Sequence, residues 1–138
     1  MTNRCTKKIH PASIALTIIL TFFLIPARSF GKELVSGKYL QSSGTLIEVE
    51  LNISSPPPPL VIVIQKLPKD TSVTGSSPTH VKYKPGKGVI KWLLRGVNAG
   101  KMRISLNLAS SVKKGEVKGE IRWRDNSGEK VSRKISND

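Results

Sequence analysis

Glu48 and Glu50 are the first residues in this chain whose type and spacing could do chemistry. Paired carboxylates act as acid and base in glycosidases when they face each other across a cleft. Here they alternate with Ile47, Val49 and Leu51. On a strand that alternation sends both carboxylates out on the same side, which implies a solvated face rather than a cleft. The chain has 2 histidines and 1 cysteine, and His10 and Cys5 both precede residue 30. His80 is then left without a second His or Cys, and no carboxylate stands at ligand spacing from it. Lys84-Pro-Gly-Lys-Gly88 lacks the Gly-Lys-Ser/Thr ending of a phosphate loop. The sequence therefore implies no catalytic residue, no metal and no cofactor, and the reading is of a protein that is not an enzyme.

Charge is the feature that remains. The chain carries 23 Lys and Arg against 9 Asp and Glu, a net +14. Four of those cations (Arg4, Lys7, Lys8 and Arg28) lie in the first 29 residues, where there is no acid, so the remainder keeps 19 against 9, or +10. An excess of this size attracts polyanions. On the strands read below, the outward cations are Lys91 and Arg95, then Lys101 and Arg103, then Lys118, Arg122 and Arg124. Strands sharing one sheet would merge these seven into one anion-binding patch. Anionic polysaccharide, lipopolysaccharide or a cell-surface protein would suit it. Nucleic acid fits less well, because Trp92 and Trp123 fall on the inward pattern and leave no stacking platform.

The N-terminus sets the compartment. Arg4, Lys7 and Lys8 precede an apolar run from Ile14 to Ile25, Pro26 breaks it, and Ala27-Arg28-Ser29 puts small residues at −3 and −1. That is the pattern of a secretory signal peptide, cleaved near Ser29. The expected divisions are residues 1–29 as signal, helical in its apolar part, and 30–138 as one domain, secreted or periplasmic. The alternative is an uncleaved anchor over residues 11–27, the one route to a membrane in this reading. That run is shorter than the ~20 apolar residues that span a bilayer.

The elements that must position the cations read as strands. Thr45 to Ser54 places Thr45, Ile47, Val49, Leu51 and Ile53 on one face. Pro56 to Pro59 ends that strand, since proline cannot donate to a ladder. Leu60-Val-Ile-Val-Ile64 is apolar on both faces and reads as a central buried strand. Val89 to Arg95, Lys101 to Ala109 and Gly115 to Arg124 alternate again. Weaker strands are expected at Leu34–Leu40, His80–Lys84 and Glu129–Ile135, with a short edge strand inside Thr71–Thr79. Pro85-Gly86 suits the centre of a type II turn, which needs a positive φ at the glycine. Thr71–Thr79 is mainly loop and His80–Lys84 adds at most one strand, so the reading is an all-β sandwich of seven to eight antiparallel strands, with turns at roughly 8–12-residue spacing.

The order of small motifs carries a resemblance. Leu67-Pro68-Lys69-Asp70, Gly88-Val-Ile-Lys-Trp92, Ala99-Gly100, Ile104-Ser-Leu106, Gly115-Glu-Val-Lys-Gly119 and Trp123-Arg-Asp125 follow one another between Gly44 and Val131. This resembles the conserved-repeat immunoglobulin-like domains of bacterial surface and secreted proteins. The resemblance implies an immunoglobulin-like β-sandwich with an adhesive or spacer role and no shared active site. A carbohydrate-binding or enzyme-accessory domain is the alternative, with Tyr39 and Tyr83 as candidate sugar platforms.

Overall fold

A computed structural model describes residues 33–137. The expected signal helix, its cleavage site and the alternative anchor lie outside the described residues. The described chain forms nine strands in two sheets. The first sheet has the order β1 (Val35–Gln41), β2 (Gly44–Ile53), β7 (Gly100–Val112), β4 (Val73–Ser77). The second has the order β5 (Lys82–Lys84), β6 (Val89–Arg95), β3 (Leu60–Lys66), β8 (Lys118–Arg124), β9 (Lys130–Lys134). Every ladder between these strands is antiparallel. The expected all-β class and two-sheet packing are the observed ones. The strand count rises to nine because both Val73–Ser77 and Lys82–Lys84 pair as edge strands.

Alternation builds the core between the sheets. Ile47, Val49 and Leu51 of β2 and Ile104 and Leu106 of β7 point inward from the first sheet. Val61 and Val63 of β3, Ile90 and Trp92 of β6, and Ile121 of β8 meet them from the second. Removing this apolar surface from water is the main force holding the layers together. One polar pair crosses the core. Tyr39 of β1 donates its hydroxyl to Gln65 Oε1 of β3 at 2.6 Å. Burial pushes the Tyr39 phenol up to about 12, against a smaller lowering effect of that hydrogen bond. Gly119 sits beside the pair because any side chain there would displace it. A Cβ would lie 2.7 Å from the Tyr39 hydroxyl and 3.0 Å from Gln65 Nε2, and would overlap Ile135 Cδ1.

Both flanks of the sandwich are laced. Residues 135–136 run from β9 to β1: Ile135 N–H donates to the Gly119 carbonyl, Ser136 N–H to that of Gly37, and Tyr39 N–H to that of Ser136, each at 2.9 Å. On the other flank the β4–β5 connection is pinned by Trp92 Nε1, which donates to the Pro78 carbonyl at 2.9 Å. The turn after β5 differs from expectation. Residues Pro85–Lys87 form one 3₁₀ turn, and the left-handed residue is Gly88, at φ +61°, rather than Gly86.

Candidate functional site

The strand order divides the seven expected cations between two opposite surfaces. β6 and β8 flank β3 in the five-stranded sheet, so Lys91, Arg95, Lys118, Arg122 and Arg124 share one outer face. β7 pairs with β2 in the other sheet, so Lys101 and Arg103 face the opposite way. The single patch of seven is therefore not the arrangement found. Alternation sets whether a side chain points in or out, but not which sheet its strand joins.

The two surfaces also differ in electrostatics. On the four-stranded face the cations stand among acids. Glu50 lies 3.4 Å from Lys101 and 3.9 Å from Lys38, and Glu48 lies 4.0 Å from Arg103. Glu48 and Glu50 are thus counter-charges on an open sheet face. The five-stranded face is different. β5 contributes Lys82 and Lys84, β6 Lys91 and Arg95, β3 Lys66, β8 Lys118, Arg122 and Arg124, and β9 Lys130 and Lys134. Among the described residues these ten cations share the face with one acid, Glu120. The register places Lys82, Lys91, Ile64, Glu120 and Lys134 in one row across all five strands. Lys66, Lys82, Lys84, Lys130 and Lys134 were absent from the sequence-derived set. The alternation Lys82-Tyr83-Lys84 was the available signal for two of them.

Glu120 is held tightly. Arg122 Nε and Nη2 donate to its two oxygens at 2.8 and 3.1 Å, and the Ser132 hydroxyl donates to it as well. The Arg122 hydrogen bonds, then that of Ser132, bring its carboxyl down to about 2 from 4.5. A lowered folded pKa stabilises the fold above the unfolded pKa, and that contribution is lost as the pH falls through the folded value. Acid unfolding of Glu120→Gln should accordingly lack the part of the stability loss that the parent shows between pH 4.5 and about 2. Melting curves across that range check this; superimposable pH profiles would show that the pair contributes nothing.

Two strands also leave apolar side chains on this face. Leu60, Ile62 and Ile64 of β3 and Leu93 of β6 are half-buried and point away from the core. The sequence reading expected the first three to be covered on both sides, and no second layer packs over them among the described residues. A depression of about 590 Å³ lies there, lined among others by Leu60, Ile62, Arg122, Arg124, Lys130 and Ser132.

The remaining reactive side chains serve local structure. Ser76 Oγ lies 2.9 Å from His80 Nδ1, and it accepts the His80 backbone N–H at 3.1 Å, which closes the turn after β4. His80 meets the Tyr83 ring edge-on at 6.4 Å. Tyr83 donates its hydroxyl to the Thr71 carbonyl, and burial, with Asp70 nearby, raises its pKa. Among the described residues no three His, Cys, Asp or Glu side chains converge in a way that could hold a metal ion. No protein-family model, curated protein or solved structure matches the chain.

Proposed function

We propose that this protein is an exported, non-enzymatic binding module whose five-stranded face engages anionic ligands of the cell envelope, such as anionic polysaccharide, lipopolysaccharide or an acidic surface protein. The observation that carries this reading is charge segregation. Ten cations and one acid occupy one sheet face, while Glu48 and Glu50 offset the cations of the other. A surface of one sign steers and holds a partner of the opposite sign. Export, to the periplasm or beyond, rests on the tripartite leader.

Strand order supports placing the sandwich among immunoglobulin-like domains. β1, β2, β7 and β4 follow the A-B-E-D order of a constant-type sheet, and β3, β8 and β9 follow C-F-G. β5 and β6 then count as a hairpin inserted between the fourth and fifth strands of that plan. The sugar-platform alternative is less well supported. Tyr39 is buried against Gln65, and Tyr83 is half-buried with its hydroxyl engaged.

Heparin serves as the test polyanion. Its affinity should fall steeply with salt as counterions are displaced. Replacing Lys91, Arg122 and Arg124 with Gln should weaken binding about tenfold or more at low salt and flatten the salt dependence. Replacing Lys38, Lys101 and Arg103 with Gln removes the same charge from the other face and should change affinity little. Equal losses in the two variants would mean that net charge alone matters, and would overturn the assignment of this face.

A further inference from the structure

We infer that the surface bound by the five-stranded face is an anionic phospholipid bilayer; this rests on the anion-binding reading and goes beyond it. Three features of the face point there together. Its centre is apolar: Leu60, Ile62 and Ile64 run along β3, and Leu93 stands beside Ile62 in register. Its cations lie on both sides of that stripe, and they extend to the outermost strands, at Lys82 on β5 and Lys134 on β9. Its acid, Glu120, is already satisfied by Arg122 and Ser132.

Charge and width select the occupant. A second copy of the same face would bring like charges together. Residues 1–32 contain no acid, so the chain's own N-terminus offers no counter-charge to the ten cations. A hydrophilic polyanion matches the cations but gains nothing from the four half-buried aliphatic side chains. An acidic amphipathic helix matches both features but is only about 10 Å wide, the span of roughly two strands, and leaves the outer lysines unused. A bilayer with anionic headgroups is broad enough for all five strands and apolar just below its charged surface. Lysine and arginine keep their heads among the phosphates while their stems and the aliphatic stripe settle against the acyl boundary. Each cation near an anionic leaflet strengthens partition about fivefold. Membrane contact on these terms requires no retained leader.

The test uses the full chain with sedimented phosphatidylcholine vesicles, with and without phosphatidylglycerol, and heparin in parallel. The part played by the stripe is read as the difference between parent and variant, since both carry the same N-terminus. Ile62→Thr/Ile64→Thr keeps β-branched side chains on the strand. It should lower partition to phosphatidylglycerol vesicles about tenfold while leaving heparin affinity and the melting temperature unchanged. Lys91→Gln/Arg122→Gln/Arg124→Gln should lower both bindings. If the Thr variant and the parent bind vesicles equally, the stripe takes no part and the lipid proposal falls while the polyanion reading stands. The same holds if the parent ignores vesicles but binds heparin. Capture of a synthetic Leu/Glu amphipathic peptide in place of vesicles, weakened in the Thr variant, would transfer the face to a protein segment and overturn the lipid assignment. If the parent binds neither heparin nor vesicles, both readings are wrong.

Discussion

Replacing Trp92 with alanine is expected to cost about 3–5 kcal/mol, the usual range for a buried aromatic. Trp92 is 0% exposed at the centre of the core, paired in register with Val63. A loss of that size is a large share of the roughly 5–15 kcal/mol that holds a typical domain folded. At roughly 4–8 °C per kcal/mol, calorimetry should show a melting point lowered by tens of degrees, or no transition at all. Part of the cost is polar, because Nε1 holds the Pro78 carbonyl and so ties β6 to the loop that crosses between the sheets. The phenylalanine variants separate the two contributions. Trp92→Phe loses that hydrogen bond. Trp123→Phe loses none, because Trp123 is 4% exposed and its Nε1 has no partner among the described residues. Trp92→Phe should therefore be the more destabilising of the pair by about 1 kcal/mol. An unchanged melting point in Trp92→Ala would remove the indole from the core and undo the inward–outward assignment of β6, and of Lys91 with it.

That assignment was legible in the sequence, and its limits are physical. Ile47, Val49, Leu51 and Ile53 announce a half-buried strand because side chains alternate with a period of two. The same logic correctly sent Lys91, Lys118 and Arg122 outward. It could not say that β6 and β8 flank β3 while β7 joins β2, since pairing partners are chosen over long sequence separations. The division of the cation set into a segregated face and an offset face follows from that pairing. The run Leu60 to Ile64 shows a second limit. Continuous apolarity usually marks a strand covered on both sides, and β3 is central in its sheet. Its outer side chains nonetheless have no layer above them among the described residues, so apolarity on both faces did not mean burial on both. Lys82 and Lys84 are harder to assign to a face, because their strand is three residues long and its alternation spans a single period.

Gly88→Ala should be as damaging as a core truncation, although the residue adds no side chain to the core. Gly88 lies at φ +61° in the left-handed region, which costs a non-glycine residue roughly 1–2 kcal/mol. The site is also closed. An added Cβ would overlap the Leu67 carbonyl oxygen and lie 3.0 Å from that of Pro68, and both are backbone atoms that cannot swing aside. Overpacking of this kind costs roughly 1–3 kcal/mol more. The hydrogen bonds around the site make the strain hard to relieve. Leu67 N–H donates to the Gly88 carbonyl at 2.7 Å, and Gly88 N–H donates to that of Pro85 at 2.9 Å. Any shift that accommodates a methyl group would pull the exit of β3 away from the start of β6. Gly86→Ala provides the contrast two residues away: nothing lies within 4 Å of its added Cβ, and its φ is not positive. It should be neutral, or slightly stabilising through a stiffer unfolded chain. Urea titration of the two variants decides between the turn found and the type II turn read from Pro85-Gly86. If Gly86→Ala proved the costly one, the β5–β6 hairpin would be built differently, and Lys82, Lys84 and Lys91 would lose their places on the basic face. With Gly88→Ala as the costly variant, the proposed anion binding should weaken along with stability, because this turn sets the position of those three lysines.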